Sequence, residues 1–421
     1  MADSDLRAGR ALAQFLALAA AFTTSWSGVV GLPLGGPTDL LLIAASTALV
    51  VGDLRRRVWH GTGAWVWLPV FAACLVMVFD VFVNGAALDW ATGNLAFVFR
   101  LLIASVMTAY VILAGRAIWG LRFLRMLMLA YLAGVAVNVG IGAATVNGLL
   151  DLGDLVISHN VTLRVYGLSA HPNALGSVCA LGIPIAMLLL TDRDARRATR
   201  IAAAASIPLL VSGLILADSR AAYLAGLGGL LLAIVGVLIR NRLFAVAMPF
   251  ALVATAASLL WLDPLLANTR FGTTGAAVSD SLRLDEAADA LDVLGRSPIF
   301  GAGFDSITGV SVPLQLISAG GLVMLLGYYL YFSVAFGKIL RGIHSPAAPL
   351  ALATFLAFVL IQLFQNGLAE RSVFWPVLLV AALVEGQRIE AASRSRSSFG
   401  YRRDRMLARR GGELLPWAPT R

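Results

Sequence analysis

Charge is scarce in this chain. Asp, Glu, Lys and Arg make up 13% of its 421 residues and hydrophobic residues 59%. One soluble core cannot bury so large an apolar share, because core volume grows slowly with chain length. Lipid has to be the solvent. Cysteine is scarcer still: Cys74 and Cys179 both fall inside apolar runs, as small packing residues and not as a disulfide or a metal pair. An HxxxH pattern, a cysteine cluster and a dense set of outer carboxylates are all missing, so no metal site is expected. A P-loop and a GxGxxG after a strand are missing as well, the "GAGF" of 301–304 being too short to count. No cofactor is implied.

What is present is a succession of apolar runs of about 20 residues, the length that crosses a hydrocarbon layer as helix. Twelve spans are read at 11–31, 38–52, 63–83, 95–115, 125–144, 172–190, 201–217, 221–239, 243–262, 309–335, 348–366 and 372–386. The fold class is therefore an all-α integral membrane protein of about twelve transmembrane helices. The first run has a charged start, as a secretory signal would, but eleven spans follow it and it is read as retained.

The net charge of +9 fits a nucleic-acid binder until its distribution is considered. Arginines fall in alternate loops: Arg55 to Arg57, then Arg116, Arg122 and Arg125, then Arg193, Arg196, Arg197 and Arg200, then Arg240 and Arg242, with Lys338 and Arg341 after span 10. The positive-inside rule places these loops and both termini in the cytoplasm of a cell whose cytoplasmic membrane the chain crosses. Nucleic acid is not an expected partner; membrane lipids are. The domain reading is a polytopic unit at 1–386 and a basic cytoplasmic tail at 387–421, disordered and held near anionic lipid. Outside lie 84–94, 145–171, the corner at 218–220, the long loop 263–308 and the corner at 366–371. Their few arginines, Arg164, Arg220, Arg270, Arg283, Arg296 and Arg371, are not explained by that rule.

Arg220 stands between two apolar runs in "LILADSRAAYLAG". Two readings are open: a pair with Asp218 that neutralises a tight corner, or an anion site in which the guanidinium fork donates two hydrogen bonds to phosphate oxygens. In "SDSLRLDEAADALDVLGRSPIFGAGF", Leu284, Ala287, Ala288, Leu291 and Leu294 recur at helical spacing. That predicts a short amphipathic helix capped by Ser279, Asp280 or Ser281, closed by Gly295 and stopped by Pro298. Arg283 then falls in its first turn, where a cation opposes the helix dipole and an anion would resolve the conflict. Pairing with Asp280 or Glu286 is the other reading. Ahead of span 6, "LRVYGLSAHPNALG" supplies Arg164, Tyr166, His171 and Asn173 at the same face. His171 precedes Pro172, a helix start near Asn173, so it is read first as a lining residue and not as a proven base.

Taken in order, "RVYGLSAHPNALG", "ADSRAAYL", "SLRLDEAADALDVLGRSPIFGAGFDS" and "PLQLISAGGLVMLLGYY" resemble the O-antigen ligase and polymerase family of bacterial glycan-assembling membrane enzymes, over about 160–335. The resemblance implies a metal-independent transferase facing outward. Its donor would be a glycan on undecaprenyl diphosphate and its acceptor a hydroxyl of a glycan or lipid. Arg220 and Arg283 match the family's two pyrophosphate-handling arginines, the catalytic pair. Arg164, Tyr166, His171, Asn173, Asp218, Ser219, Glu286 and Arg296 are the substrate-binding candidates. One departure stands out: where family ligases carry a His-Asn pair, this chain reads Val310 and Ser311. The acceptor proton then passes to a group such as His171, Asp218 or Glu286, or a good pyrophosphate leaving group makes base catalysis minor, or this member has another acceptor or no activity. The competing class is a twelve-helix secondary transporter or lipid-linked glycan flippase, for which "GDLRRR" after span 2 is the best feature.

Overall fold

A computed structural model gives the architecture and describes residues 2–29, 36–56, 62–83, 85, 94–153, 156, 164–239, 274–304, 311–365, 367, 368 and 370–412. Among these every regular element is helical, apart from one isolated bridge between Val29 and Val156. Helices α1 (Ala2–Thr23) and α2 (Pro37–Arg56) pack together, and α1 also packs on α5. A 3-10 turn, Ala64–Trp67, leads into α3 (Leu68–Val83). Helix α4 (Asn94–Leu101) passes through a π-helical turn, Leu102–Met107, into α5 (Thr108–Val146). Then follow α6 (Pro172–Thr191), α7 (Arg197–Ala217), α8 (Arg220–Ile239), α9 (Thr274–Arg296), α10 (Val312–Arg341), α11 (Ala348–Phe364) and α12 (Arg371–Gly412).

Six described helical stretches are long and apolar enough to cross a membrane: Ala64–Val83, Asn94–Val146, Pro172–Thr191, Arg197–Ala217, Val312–Arg341 and Arg371–Arg394. Arg220–Gly236 and Ala348–Phe364 are shorter apolar helices. The span expected at 243–262 lies outside the described residues. Three expectations need correction. The polar stretch between the spans at 95–115 and 125–144 is not a loop of several residues but a one-residue kink, Gly120 at φ 70 and ψ −165, at which two helical segments of α5 join. Glycine reaches that geometry without a Cβ penalty, so the arginines on either side remain helical. Helix α9 begins at Thr274 and not at Ser279 to Ser281, the helix-forming Ala276 and Ala277 extending it upstream. The tail is helical to Gly412, where disorder was expected from its charge. An Arg394–Glu390 pair spaced i,i+4 supports it.

Residues from alternate loops meet at two opposite sets of contacts. In one, Arg125 donates to Asp192 at 2.7 Å and reaches Asp194 at 3.3 Å, while Glu385 receives Arg116 at 3.4 Å and Lys338 at 3.1 Å. In the other, Thr38 donates to the Thr23 carbonyl at 2.8 Å, Asn138 to the Ser25 carbonyl at 2.9 Å, and Arg371 to Asp39 at 2.5 Å.

The amino-terminal half of α10 holds a second break. Its ladder is interrupted at Gly321, φ 55 and ψ −150, and the segment after α9 fills the gap. Leu322 and Val323 donate to the Pro298 and Ile299 carbonyls at 2.9 and 3.1 Å; Ala302 and Gly303 donate to the Ser318 and Ala319 carbonyls at 2.8 and 3.0 Å. Backbone groups freed by a broken helix must be satisfied inside the protein at membrane depth, and this segment supplies the partners. Phe300 and Phe304 anchor it by stacking on Phe79 and Phe97, each pair with centroids 4.3 Å apart. The "GAGF" turn is thus a structural plug, and it ties the end of α9 to the bundle.

Candidate functional site

Helix α7 ends at Ala217 because Asp218 turns left-handed, φ 43 and ψ 53, the one described non-glycine residue with positive φ. Aspartate tolerates this region better than most residues, and such conformations persist where surroundings enforce them. The Ser219 carbonyl accepts from the Tyr223 N–H at 2.9 Å, so α8 starts with Arg220. Gly176 of α6 faces this corner; a Cβ there would lie 2.6 Å from the Ala222 Cβ and 3.3 Å from that of Ser219. Only glycine lets α6 and α8 approach so closely.

The segment before α6 closes over the same corner. The Val165 N–H donates to the Leu216 carbonyl at 3.2 Å. The Arg164 guanidinium donates through Nε to the Ala217 carbonyl at 3.0 Å and through Nη2 to Asn173 Oδ1 at 2.7 Å. A cation at the carboxyl end of α7 complements its dipole as well as its free carbonyls. His171 is the N-cap of α6: its Nδ1 accepts from the Asn173 N–H at 3.1 Å, with Pro172 in the first helical position. That bond leaves Nε2 carrying the proton in the neutral ring, which makes this second nitrogen a donor. Tyr166 is half-buried, and its carbonyl accepts from Ser169 at 2.9 Å.

Arg164, Tyr166, His171, Asn173, Asp218, Ser219 and Arg220 therefore occupy one neighbourhood at the ends of α6, α7 and α8. The other three candidates lie on α9, which packs on α10. Arg283 is half-buried in the third turn of α9 and not in its first, so the free N–H groups of the helix start are not beside it and the dipole argument for an anion there is withdrawn. Glu286 is exposed. Arg296 is exposed and pairs with Asp292 one turn earlier. Arg270 lies outside the described residues.

Sequence reasoning missed the corner between α11 and α12. Gln365 is buried; its side chain accepts from Ser177 Oγ and donates to Ser219 Oγ at 3.1 Å. Two residues on, the Gly367 N–H donates to Gln315 of α10 at 3.3 Å. Burial pushes the Glu370 carboxyl above the usual carboxylate range, against the opposing pull of Arg371 and of the Ser372 hydroxyl. Polar residues directly after an apolar run, in "LIQLFQNGLAER", are the signal that could have found them.

Residues 204–323 match the O-antigen ligase family, a stretch that includes both Arg220 and Arg283. No curated protein matches the chain. The segment from within α7 to the broken α10 carries the match, and over these residues the chain is similar to the O-antigen ligase family.

Proposed function

We propose that the protein is a glycan transferase of the O-antigen ligase and polymerase type, embedded in the cytoplasmic membrane with both termini inside, twelve spans and an outward-facing site. It moves a glycan from undecaprenyl diphosphate to the hydroxyl of a glycan or lipid acceptor. The hydroxyl oxygen bonds to the anomeric carbon as the bond from that carbon to the diphosphate oxygen breaks. The diphosphate leaves with the electron pair, and the hydroxyl proton passes to a base or to the departing phosphate. Arg220 and Arg283 stabilise the charge that grows on the leaving group, and no metal is required. Asp218, beside Arg220, is the base candidate best served by this geometry, since His171 presents a donor and Glu286 is exposed on α9. The observation that carries the reading is the Arg164 bridge between Ala217 and Asn173, which holds the Asp218 to Arg220 corner inside the family-matched segment.

The test is transfer from a lipid-diphosphate-linked glycan in membranes carrying Arg220→Ala or Arg283→Ala. Each variant accumulates normally and loses about 100-fold or more in rate, as loss of one placed donor does. Full transfer by both variants overturns the assignment, and movement of the lipid-linked glycan without a new glycosidic bond establishes the flippase reading instead.

A further inference from the structure

We infer that Gln365 is a positioning residue of the donor site, its amide clamping the Ser219–Arg220 corner to α6 from the end of α11. The inference rests on the assignment of Arg220 to the diphosphate.

Gln365 caps the carboxyl end of α11, its N–H donating to the Ile361 carbonyl, and is 5% exposed. Its partners Ser177 and Ser219 are 1% and 3% exposed, so the three form a polar chain with almost no water to replace a lost bond. Ser177 also lies 2.8 Å from the Asn173 carbonyl, and one hydroxyl proton cannot serve both acceptors at once. An amide resolves this by turning its NH2 to Ser177, whose proton then goes to the Asn173 carbonyl while Ser219 donates to the amide oxygen. It offers one donor and one acceptor to two hydroxyls that can each play either part. A carboxylate would require protons from both serines, and an aliphatic side chain would offer neither function. The residue type is therefore matched to the gap. The chain continues through Asn173 to Arg164 and Ala217, so the corner is held from two sides: by a guanidinium on one and by Gln365 on the other. Between these two holds lie Asp218, in its left-handed conformation, and Arg220, at the first position of α8. A shift of about 1 Å in such a group costs on the order of 100-fold in a reaction that depends on alignment.

The experiment measures affinity for undecaprenyl diphosphate on the purified full-length chain for wild type, Gln365→Met, Arg220→Ala and the double variant. Methionine preserves length and volume without hydrogen-bonding capacity. Gln365→Met is expected to bind about tenfold more weakly, and the double variant no more weakly than Arg220→Ala, because the clamp has nothing left to position. Ser219→Ala, which removes the other end of the bond, is expected to reproduce Gln365→Met and decides the matter if that variant does not accumulate. Unchanged affinity in Gln365→Met or Ser219→Ala, with Arg220→Ala weakened, overturns this inference alone. Losses that multiply in the double variant also overturn it, since Gln365 then acts independently of Arg220. Unchanged affinity in Arg220→Ala instead overturns the assignment of the arginine and this inference with it.

Discussion

Arg371, at the start of α12, donates through Nη2 to Oδ2 of Asp39, in the first turn of α2, at 2.5 Å, joining residues 332 positions apart in sequence. The Asp39 side chain is 1% exposed and that of Arg371 15%. Removing one partner of such a pair leaves an uncompensated buried charge, which costs about 3–5 kcal/mol. Arg371→Met is therefore expected to lower the melting temperature in detergent sharply, and the Asp39→Asn, Arg371→Met double variant to recover most of the loss. Equal melting of Arg371→Met and wild type would show that the pair contributes nothing.

Gly321 allows α10 to break and the segment after α9 to plug the gap. A Cβ there would stand 2.5 Å from the Ile299 carbonyl carbon and 2.7 Å from the Pro298 oxygen, at a φ of 55. Gly321→Ala combines backbone strain of about 1–3 kcal/mol with that clash. Accumulation in membranes is expected to fall. Limited proteolysis would show cleavage near 297–304 that the wild type resists.

Arg164 bonds to the end of α7 and to Asn173 at once. Replacing it with methionine is expected to destabilise by about 1–2 kcal/mol, the lower range for charge-assisted bonds because the site is only part-buried. Transfer should fall further than stability does. Arg164→Lys keeps the charge but cannot span both acceptors in one plane, so it should rescue stability better than activity. Comparing melting with initial rates separates the two effects.

Arg296 gives the opposite expectation. Its partner Asp292 is exposed, and exposed i,i+4 pairs contribute about 0.3–0.5 kcal/mol. Arg296→Ala should melt within about a degree or two of wild type.

Glu370 makes stability depend on pH with a definite sign. Its folded carboxyl binds the proton more tightly than the unfolded one, because burial penalises the charge. The contribution is fully present below the unfolded value of about 4.3 and is lost as pH rises through the higher folded value. Glu370→Gln removes this slope. A melting series across mildly acidic to neutral pH should show wild type losing ground to Glu370→Gln as pH rises, and parallel curves would refute the assignment.

Composition alone determined that the chain is helical and lipid-solvated, because 59% hydrophobic residues in long runs have no other place to go. Local chemistry was equally direct where it is short-ranged. Pro172 and its neighbours start α6, and the "ADSR" corner separates α7 from α8, because caps and breaks act within one turn. Helix boundaries that depend on packing were less accessible: Gly120 bends a helix where a loop was expected, and α9 starts early enough to move Arg283 out of its first turn.

The site's supports were decided by tertiary structure. Nothing near Ser219 announces Gln365, 146 positions away, and nothing near Arg371 announces Asp39. Hydrogen bonds and ion pairs depend on separations of a few ångströms, which periodicity along the chain does not encode. Once lipid makes each unpaired polar group costly, the packed bundle chooses the partners.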